Sequence, residues 1–118
     1  MIHIIDDDVF VRRGFTMLFK SAGLNSDSFG SAEEFISGFK KGESDIVILD
    51  MHMPGMNGCD FLEYLATHEI YIPVIVITAY DEPASRECAK HYGAIAYLRK
   101  PVDGEALIDL VKYTVNPV

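Results

Sequence analysis

Two apolar runs in this chain end on carboxylates. Met1-Ile2-His3-Ile4-Ile5 runs into Asp6, Asp7 and Asp8, and Ile46-Val47-Ile48-Leu49 runs into Asp50. Carboxylates gathered in one place repel one another unless a positive group sits among them. Carboxylate oxygens are the ligands a hard divalent cation takes, so such a cation is the first chemistry this pattern points to. Phosphate chemistry is the second, because a carboxylate can attack phosphorus and form an aspartyl phosphate once its charge is neutralised. Thr78 ends a further apolar run, and Lys100 stands just past another. A hydroxyl and an ammonium are groups that stabilise the charge of a transferring phosphoryl group.

These residues act together only if the chain folds their positions to one rim. Strand candidates cover 2–6, 25–29, 45–50, 73–78 and 94–98. Three are near-continuous apolar runs, which fits strands covered on both faces, as in a parallel sheet. The segment Asn25-Ser26-Asp27-Ser28-Phe29 is polar enough to be an edge or near-edge strand. Helices fill the gaps. The first carries Val11, Phe15, Leu18 and Ala22 and stops before Gly23. The second follows Ser31, with Glu34 placed for a capping box, apolar Ala32, Phe35, Ile36 and Phe39, and Gly42 after its end. The third spans about 58–68, and the fourth about 83–92 between Pro83 and Gly93. The fifth begins near Asp103 and carries Leu107, Leu110 and Val111. Five βα units with short loops imply right-handed crossovers and one doubly wound α/β domain over 1–118. In open parallel sheets ligands bind beyond the carboxyl ends of the strands, where strand order reverses. With the order 2-1-3-4-5 of flavodoxin-like sheets, adopted by analogy, the two acidic strand ends are neighbours.

Composition narrows the partners. Of 118 residues, 49% are hydrophobic and 24% charged, an ordinary globular balance. The net charge of -8 and basic stretches no longer than pairs such as Arg12-Arg13 and Lys40-Lys41 argue against nucleic-acid binding by this domain alone. Asp6 to Asp8 interrupt the N-terminal apolar stretch too early for a signal peptide, and no apolar run has the length of a membrane span. Cys59 and Cys88 lack metal-ligand spacing and read as reduced thiols of a cytoplasmic protein.

Four segments in order, Ile4-Ile5-Asp6-Asp7-Asp8, Leu49-Asp50-Met51-His52-Met53-Pro54-Gly55-Met56-Asn57-Gly58, Ile77-Thr78-Ala79 and Tyr97-Leu98-Arg99-Lys100-Pro101, each at a strand end, resemble the receiver domain of two-component response regulators. The resemblance covers the whole chain. It implies that Asp50 accepts a phosphoryl group from a sensor histidine kinase docked near the first helix and the loop after the fifth strand. It implies that Asp6, Asp7, Asp50 and the backbone carbonyl of His52 hold Mg²⁺. Thr78 and Lys100 would meet the phosphoryl oxygens, Tyr97 would switch position with Thr78, and Pro101 would follow a cis peptide bond. Asp8 falls one position beyond the family's acidic pair and reads as a helix cap. Ala79 is small enough to leave room for phosphoryl group and water.

His52 departs from the residues commonest at its place. His52 and Tyr80 are candidates to flank the phosphoryl group and set its hydrolysis rate. The face of the fourth helix, fifth strand and fifth helix, with Arg86, Lys90, Tyr92, Arg99, Asp103 and Asp109, would meet an output domain, a downstream protein or a second copy. Such a protein is a regulatory switch and not an enzyme, beyond its own phosphoryl transfer and slow dephosphorylation. Two other classes share elements of the pattern. A flavodoxin-like cofactor carrier needs a Ser/Thr/Gly-rich phosphate loop after the first strand, where this chain has Asp6-Asp7-Asp8. A haloacid-type aspartyl-phosphate phosphatase typically has a second Asp two residues after the first, where this chain has His52.

Overall fold

A computed structural model describes residues 1–40 and 46–115. The strands β1 (Ile2–Ile5), β2 (Ser26–Phe29), β3 (Ile46–Asp50), β4 (Val74–Thr78) and β5 (Ala96–Arg99) pair throughout in parallel, in the order β2-β1-β3-β4-β5. Between and after them come α1 (Val9–Ser21), α2 (Ala32–Gly38), α3 (Gly58–Thr67), α4 (Pro83–His91) and α5 (Gly104–Val115). The α/β class and strand order are those expected from the sequence, and polar β2 lies at an edge.

The central strands are buried on both faces because helices cover both. On one face Ile5, Val47, Leu49 and Val76 pack with Phe35 of α2, Phe61 and Leu65 of α3 and Ala89 of α4. On the other, Ile4, Ile48, Ile75 and Ile77 pack with Phe19 of α1 and Leu107 and Val111 of α5. Each such fully buried aliphatic or aromatic side chain contributes about 1.5–3 kcal/mol. The register does the positioning. Ile5 pairs with Leu49, so Asp6 and Asp50 come next on adjacent strands, and Asp50 itself pairs with Ile77. Thr78 pairs with Arg99, which sets Lys100 one step further along the same rim.

Two expectations about elements change. The second helix ends at Gly38, and Phe39 is its extended C-cap rather than part of the stripe. Phe39 leaves the helix yet keeps its ring 5.4 Å from Phe35, so core packing is met without another helical turn. Gly42, expected to stop that helix, lies outside the described residues. The cysteines are not free: Cys59 of α3 and Cys88 of α4 form a disulfide, their Cα atoms 6.1 Å apart. The 29-residue separation concealed the pair, since only the packing of α3 beside α4 on one sheet face makes them neighbours.

Three helices end in the same reverse turn, and one does so against local preference. After α1, Leu24 N–H donates to the Phe19 carbonyl and Gly23 N–H to that of Lys20; after α4, Ala94 and Gly93 do the same to Ala89 and Lys90. The turn needs a left-handed residue, and Gly23 and Gly93 supply it at φ 75° and 74°. After α3 the bonds recur from Ile70 to Leu65 and from Glu69 to Ala66, but the left-handed residue is Glu69, at φ 54°. A non-glycine residue there costs about 1 kcal/mol, and Glu69 is solvent-exposed. Glu69→Gly is therefore expected to stabilise the protein by roughly 0.5–1 kcal/mol. A urea denaturation midpoint equal to or below wild type would contradict that account of the turn.

Candidate functional site

At the carboxyl rim, one carboxylate oxygen from each of Asp6, Asp7 and Asp50 lies within 4.8 Å of the others. Asp50 is the last residue of β3 and Asp6 follows β1, and both are buried, at 6% and 3% exposure. Asp7 is exposed. Asp6 is held from both sides: its Oδ1 accepts from the Asp8 N–H at 2.9 Å and its Oδ2 from the Lys100 ammonium at 2.9 Å. Asp8 faces elsewhere, capping α1 by accepting from the N–H groups of Phe10 and Val11. The three converging hard oxygen donors fit a small divalent cation, with an open side at exposed Asp7.

Lys100 closes the rim opposite the carboxylates. Its Nζ is 2.9 Å from Asp6 and 3.8 Å from Asp50. Burial alone would depress the ammonium, but the hydrogen bond it donates to Asp6 and the charges of Asp50, Asp6 and Asp8 outweigh it and hold Lys100 above its usual value. The Lys100 N–H also donates to the Thr78 carbonyl at 2.9 Å, locking the ends of β4 and β5 together. The peptide bond from Lys100 to Pro101 is cis. Thr78 is fully buried, and its hydroxyl is engaged with the Tyr80 backbone, donating to the carbonyl at 3.0 Å and accepting from the N–H at 3.1 Å.

His52 touches the cluster through its backbone, whose N–H donates to Asp50 Oδ1 at 3.3 Å. Its ring reaches across the rim: Nε2 is 3.3 Å from the Tyr80 carbonyl, and the two rings meet edge-to-face at 5.4 Å. Tyr80 is 65% exposed, so this ring pair is open to solvent. Tyr97, on β5, has its ring under the Arg86 guanidinium at 5.7 Å, and Arg86 pairs with Asp81. Burial first, and the Asp81 carboxylate second, raise the Tyr97 phenol. Of the expected output face, Arg86, Lys90, Arg99, Asp103 and Asp109 are exposed, whereas Tyr92 is half-buried among the side chains packed between α3 and α4.

Three supports of the site carry little sign of that role in the sequence. Arg12, half of a basic pair, donates from Nη1 to the Asp6 carbonyl at 2.8 Å and fixes the β1–α1 loop. Its signal was its place on the first full turn of a helix that follows the acidic run. Arg86 and Asp81 cover Tyr97, which their separation from Tyr97 in sequence conceals. Gly58 lets α3 start against the strand end: a Cβ there would stand 2.7 Å from Met51 Cα and 2.9 Å from the Asp50 carbonyl.

The Asp50 carboxyl is pushed up to about 6. Burial is the largest cause and the Asp6 and Asp7 charges add to it, against the opposing pull of Lys100 and the His52 N–H. A carboxyl that binds its proton more tightly folded than unfolded loses stability as pH rises between the two values. Without divalent metal, the Asp50 contribution should therefore fall as pH climbs from about 4 to about 6 and stay low above it. Asp50→Asn removes the charge, so in a chelator it is expected to stabilise the protein by roughly 1–3 kcal/mol at pH 8 and by little at pH 4. Thermal or urea unfolding of both proteins across that range checks this, and a pH-independent difference would rule it out.

Comparison with known proteins agrees with this arrangement. Residues 2–112 match the family model for the response regulator receiver domain. Nodulation protein W of Bradyrhizobium diazoefficiens is 34% identical over 111 residues, covering 94% of this chain and 49% of that protein. The transcriptional regulatory protein FixJ of Azorhizobium caulinodans is 34% identical over 116 residues, covering 98% of this chain and 54% of that protein. The chain thus spans about half the length of these curated relatives. Among solved structures, the response regulator StyR superposes with a TM-score of 0.88 at 35% identity, covering 97% of this chain and 58% of that one. A CheY-like receiver domain from Methanospirillum hungatei matches the fold at a TM-score of 0.88, with 23% identity over 98% of this chain and 92% of that one. An all-parallel sheet that gathers three carboxylates and a lysine at one rim is, in this chain, that of a member of the response regulator receiver domain family, a regulatory domain of two-component signalling and not a classical enzyme.

Proposed function

We propose that Asp50 accepts a phosphoryl group from a phosphohistidine of a sensor histidine kinase. The observation that carries this reading is the setting of Asp50. It is buried at a strand end, raised to about 6 by that burial first and by its anionic neighbours second, with the Lys100 ammonium 3.8 Å away. Asp6, Asp7 and Asp50, with the His52 carbonyl, would hold Mg²⁺, which when bound neutralises the carboxylates and the incoming phosphoryl oxygens. An Asp50 oxygen forms the new bond to phosphorus as the bond from phosphorus to the kinase imidazole breaks. Lys100 turns from Asp6 toward the phosphoryl oxygens, and Thr78 leaves Tyr80 to donate its hydroxyl to one of them. The donor would dock where α1 meets the β5–α5 loop, over a groove lined by Val11, Phe15, Leu18, Pro101 and Val102, with exposed Phe10 and Met17 on the same helix.

The readout follows from what these residues leave behind. Movement of Thr78 opens space beside β5 for Tyr97 to change position with it. The α4–β5–α5 face then changes for an output domain, a downstream protein or a second copy of the chain. A shift from 1:99 to 99:1 between the two forms requires the phosphoryl group to favour one by about 5.5 kcal/mol. The relatives named as transcriptional regulators extend well beyond the matched region, which supports an output reached through this face. Residues 1–118 would act as one receiver unit in the cytoplasm, binding no nucleic acid themselves. Among the described residues no helix is long and apolar enough to cross a membrane.

Incubation with a small acyl phosphate and Mg²⁺ should give wild type one acid-labile, base-labile phosphate, and Asp50→Asn none, as read by intact mass. Equal uptake at the same site by the variant would overturn the assignment. The His52–Tyr80 ring pair should govern how water reaches the acyl phosphate. His52→Ala and Tyr80→Ala are each expected to change its lifetime by severalfold in a single-turnover decay, and unchanged lifetimes in both would remove the pair from the mechanism.

A further inference from the structure

The disulfide between α3 and α4 stands outside the phosphoryl chemistry and yet holds the helix that covers Tyr97. Cys59 lies in the first turn of α3, next to Gly58, which is pressed against Met51 and the Asp50 carbonyl. Cys88 lies in α4, two residues after Arg86, whose guanidinium covers the Tyr97 ring. Cys59, Cys88 and Tyr97 all pack against the same core cluster. A covalent link between the two helices therefore ties α4, and with it the Arg86 cover, to the segment anchored at the phospho-acceptor strand. Both cysteines are only half-buried, so a small thiol or disulfide can reach them. With the Cα atoms 6.1 Å apart, the pair forms or opens without a large backbone movement.

We propose that Cys59 and Cys88 are a redox modification site, and that their oxidation by a low-molecular-weight disulfide restrains α4 and Tyr97 and so uncouples the α4–β5 face from Asp50 phosphorylation. The inference rests on the reading of Asp50 as phospho-acceptor. In the first step one cysteine thiolate attacks a sulfur of the small disulfide, breaking its S–S bond and releasing one small thiol. In the second step the other cysteine thiolate attacks the mixed disulfide on its protein sulfur, closing Cys59 to Cys88 and releasing the second small thiol. The two cysteines lose two electrons and two protons, which the small disulfide gains. Reduction by an excess of small thiol runs the same steps backwards. The reduced form leaves α4 attached through packing alone, with Ser85 and Ala89 as its buried residues, so Arg86 and Tyr97 can rearrange when the rim is phosphorylated.

The full chain should be equilibrated with a small thiol or its disulfide, then treated with an acyl phosphate and Mg²⁺. Thiol titration should find both cysteines free in the first case and neither in the second. Phosphate uptake at Asp50 should occur in both forms, because the disulfide lies outside the site. Amide hydrogen exchange across 83–99 should change on phosphorylation severalfold more in the reduced form than in the oxidised one. The Cys59→Ser/Cys88→Ser variant should respond like the reduced form under both conditions. Free thiols under the oxidising condition, or an equal response of 83–99 in the two forms, would overturn the inference while leaving the phospho-acceptor reading intact. A redox-dependent response that survives in the double variant would overturn it equally. Absence of phosphate uptake in every form would overturn both.

Discussion

Asp6 and Asp50 repel each other across adjacent strand ends, and the lysine opposite them is what makes their burial tolerable. Two unit charges about 4 Å apart at an effective dielectric near 20 interact by about 4 kcal/mol, a large fraction of a small domain's stability. Lys100 offsets part of this by bonding Asp6 at 2.9 Å while standing 3.8 Å from Asp50. One ammonium does not balance three carboxylates, so the cluster is left with negative charge. Burial first, and this unsatisfied charge second, raise the Asp50 carboxyl, and the charge is what a divalent cation would cancel. The site is thus kept poised by its own imbalance, and the sheet must be strong enough to impose it.

The parallel sheet supplies that strength. β1, β3 and β4 are buried on both faces, so sliding any of them by one residue would move its aliphatic side chains from one helix layer to the other. Register is therefore fixed by the core, and register alone aligns Asp6 with Asp50 and sets Thr78 and Lys100 alongside. The loops then add local restraint: Arg12 to the Asp6 carbonyl, Asp8 N–H to the Asp6 carboxylate, and the Lys100 N–H to Thr78. None of these bonds touches the Asp50 carboxylate directly. They hold the neighbours in place and leave Asp50 with the His52 N–H and Lys100 as its near partners.

What could be read from the residues alone follows this division. Ile46 to Leu49 and Val74 to Ile77 are unbroken apolar runs, so strands, class and the carboxylates at their ends were legible. The strand order was not derivable from periodicity and came by analogy; the observed pairing agrees with it. Helix ends marked by glycine at 23 and 93 were legible, while the end of α2 was not, because Phe39 can serve the core from either a helix or an extended cap. The cysteine pairing was illegible for a different reason. It depends on which two helices share a sheet face and how they are staggered, and spacing carries no trace of that. Arg12 and Arg86 are a third kind, long polar side chains whose partners are chosen by tertiary geometry.

Lys100, Thr78 and Tyr97, the three groups proposed to rearrange around Asp50, each have a partner other than Asp50 in this arrangement. Lys100 lies closer to Asp6 than to Asp50, the Thr78 hydroxyl is satisfied by Tyr80, and the Tyr97 ring lies under Arg86. A buried hydroxyl or ammonium leaves such partners only for others of comparable strength, since an unmade bond costs about 1–3 kcal/mol. Exchange of partners is then all-or-none for each group, and linked between groups: the Lys100 N–H is bonded to the Thr78 carbonyl, and Thr78 and Tyr97 lie on adjacent strands. The partners of these groups are thus linked across β4 and β5. On the proposed reading, a change of charge at Asp50 would act on these exchanges, and a covalent restraint on α4 would act on them from the opposite side of Tyr97.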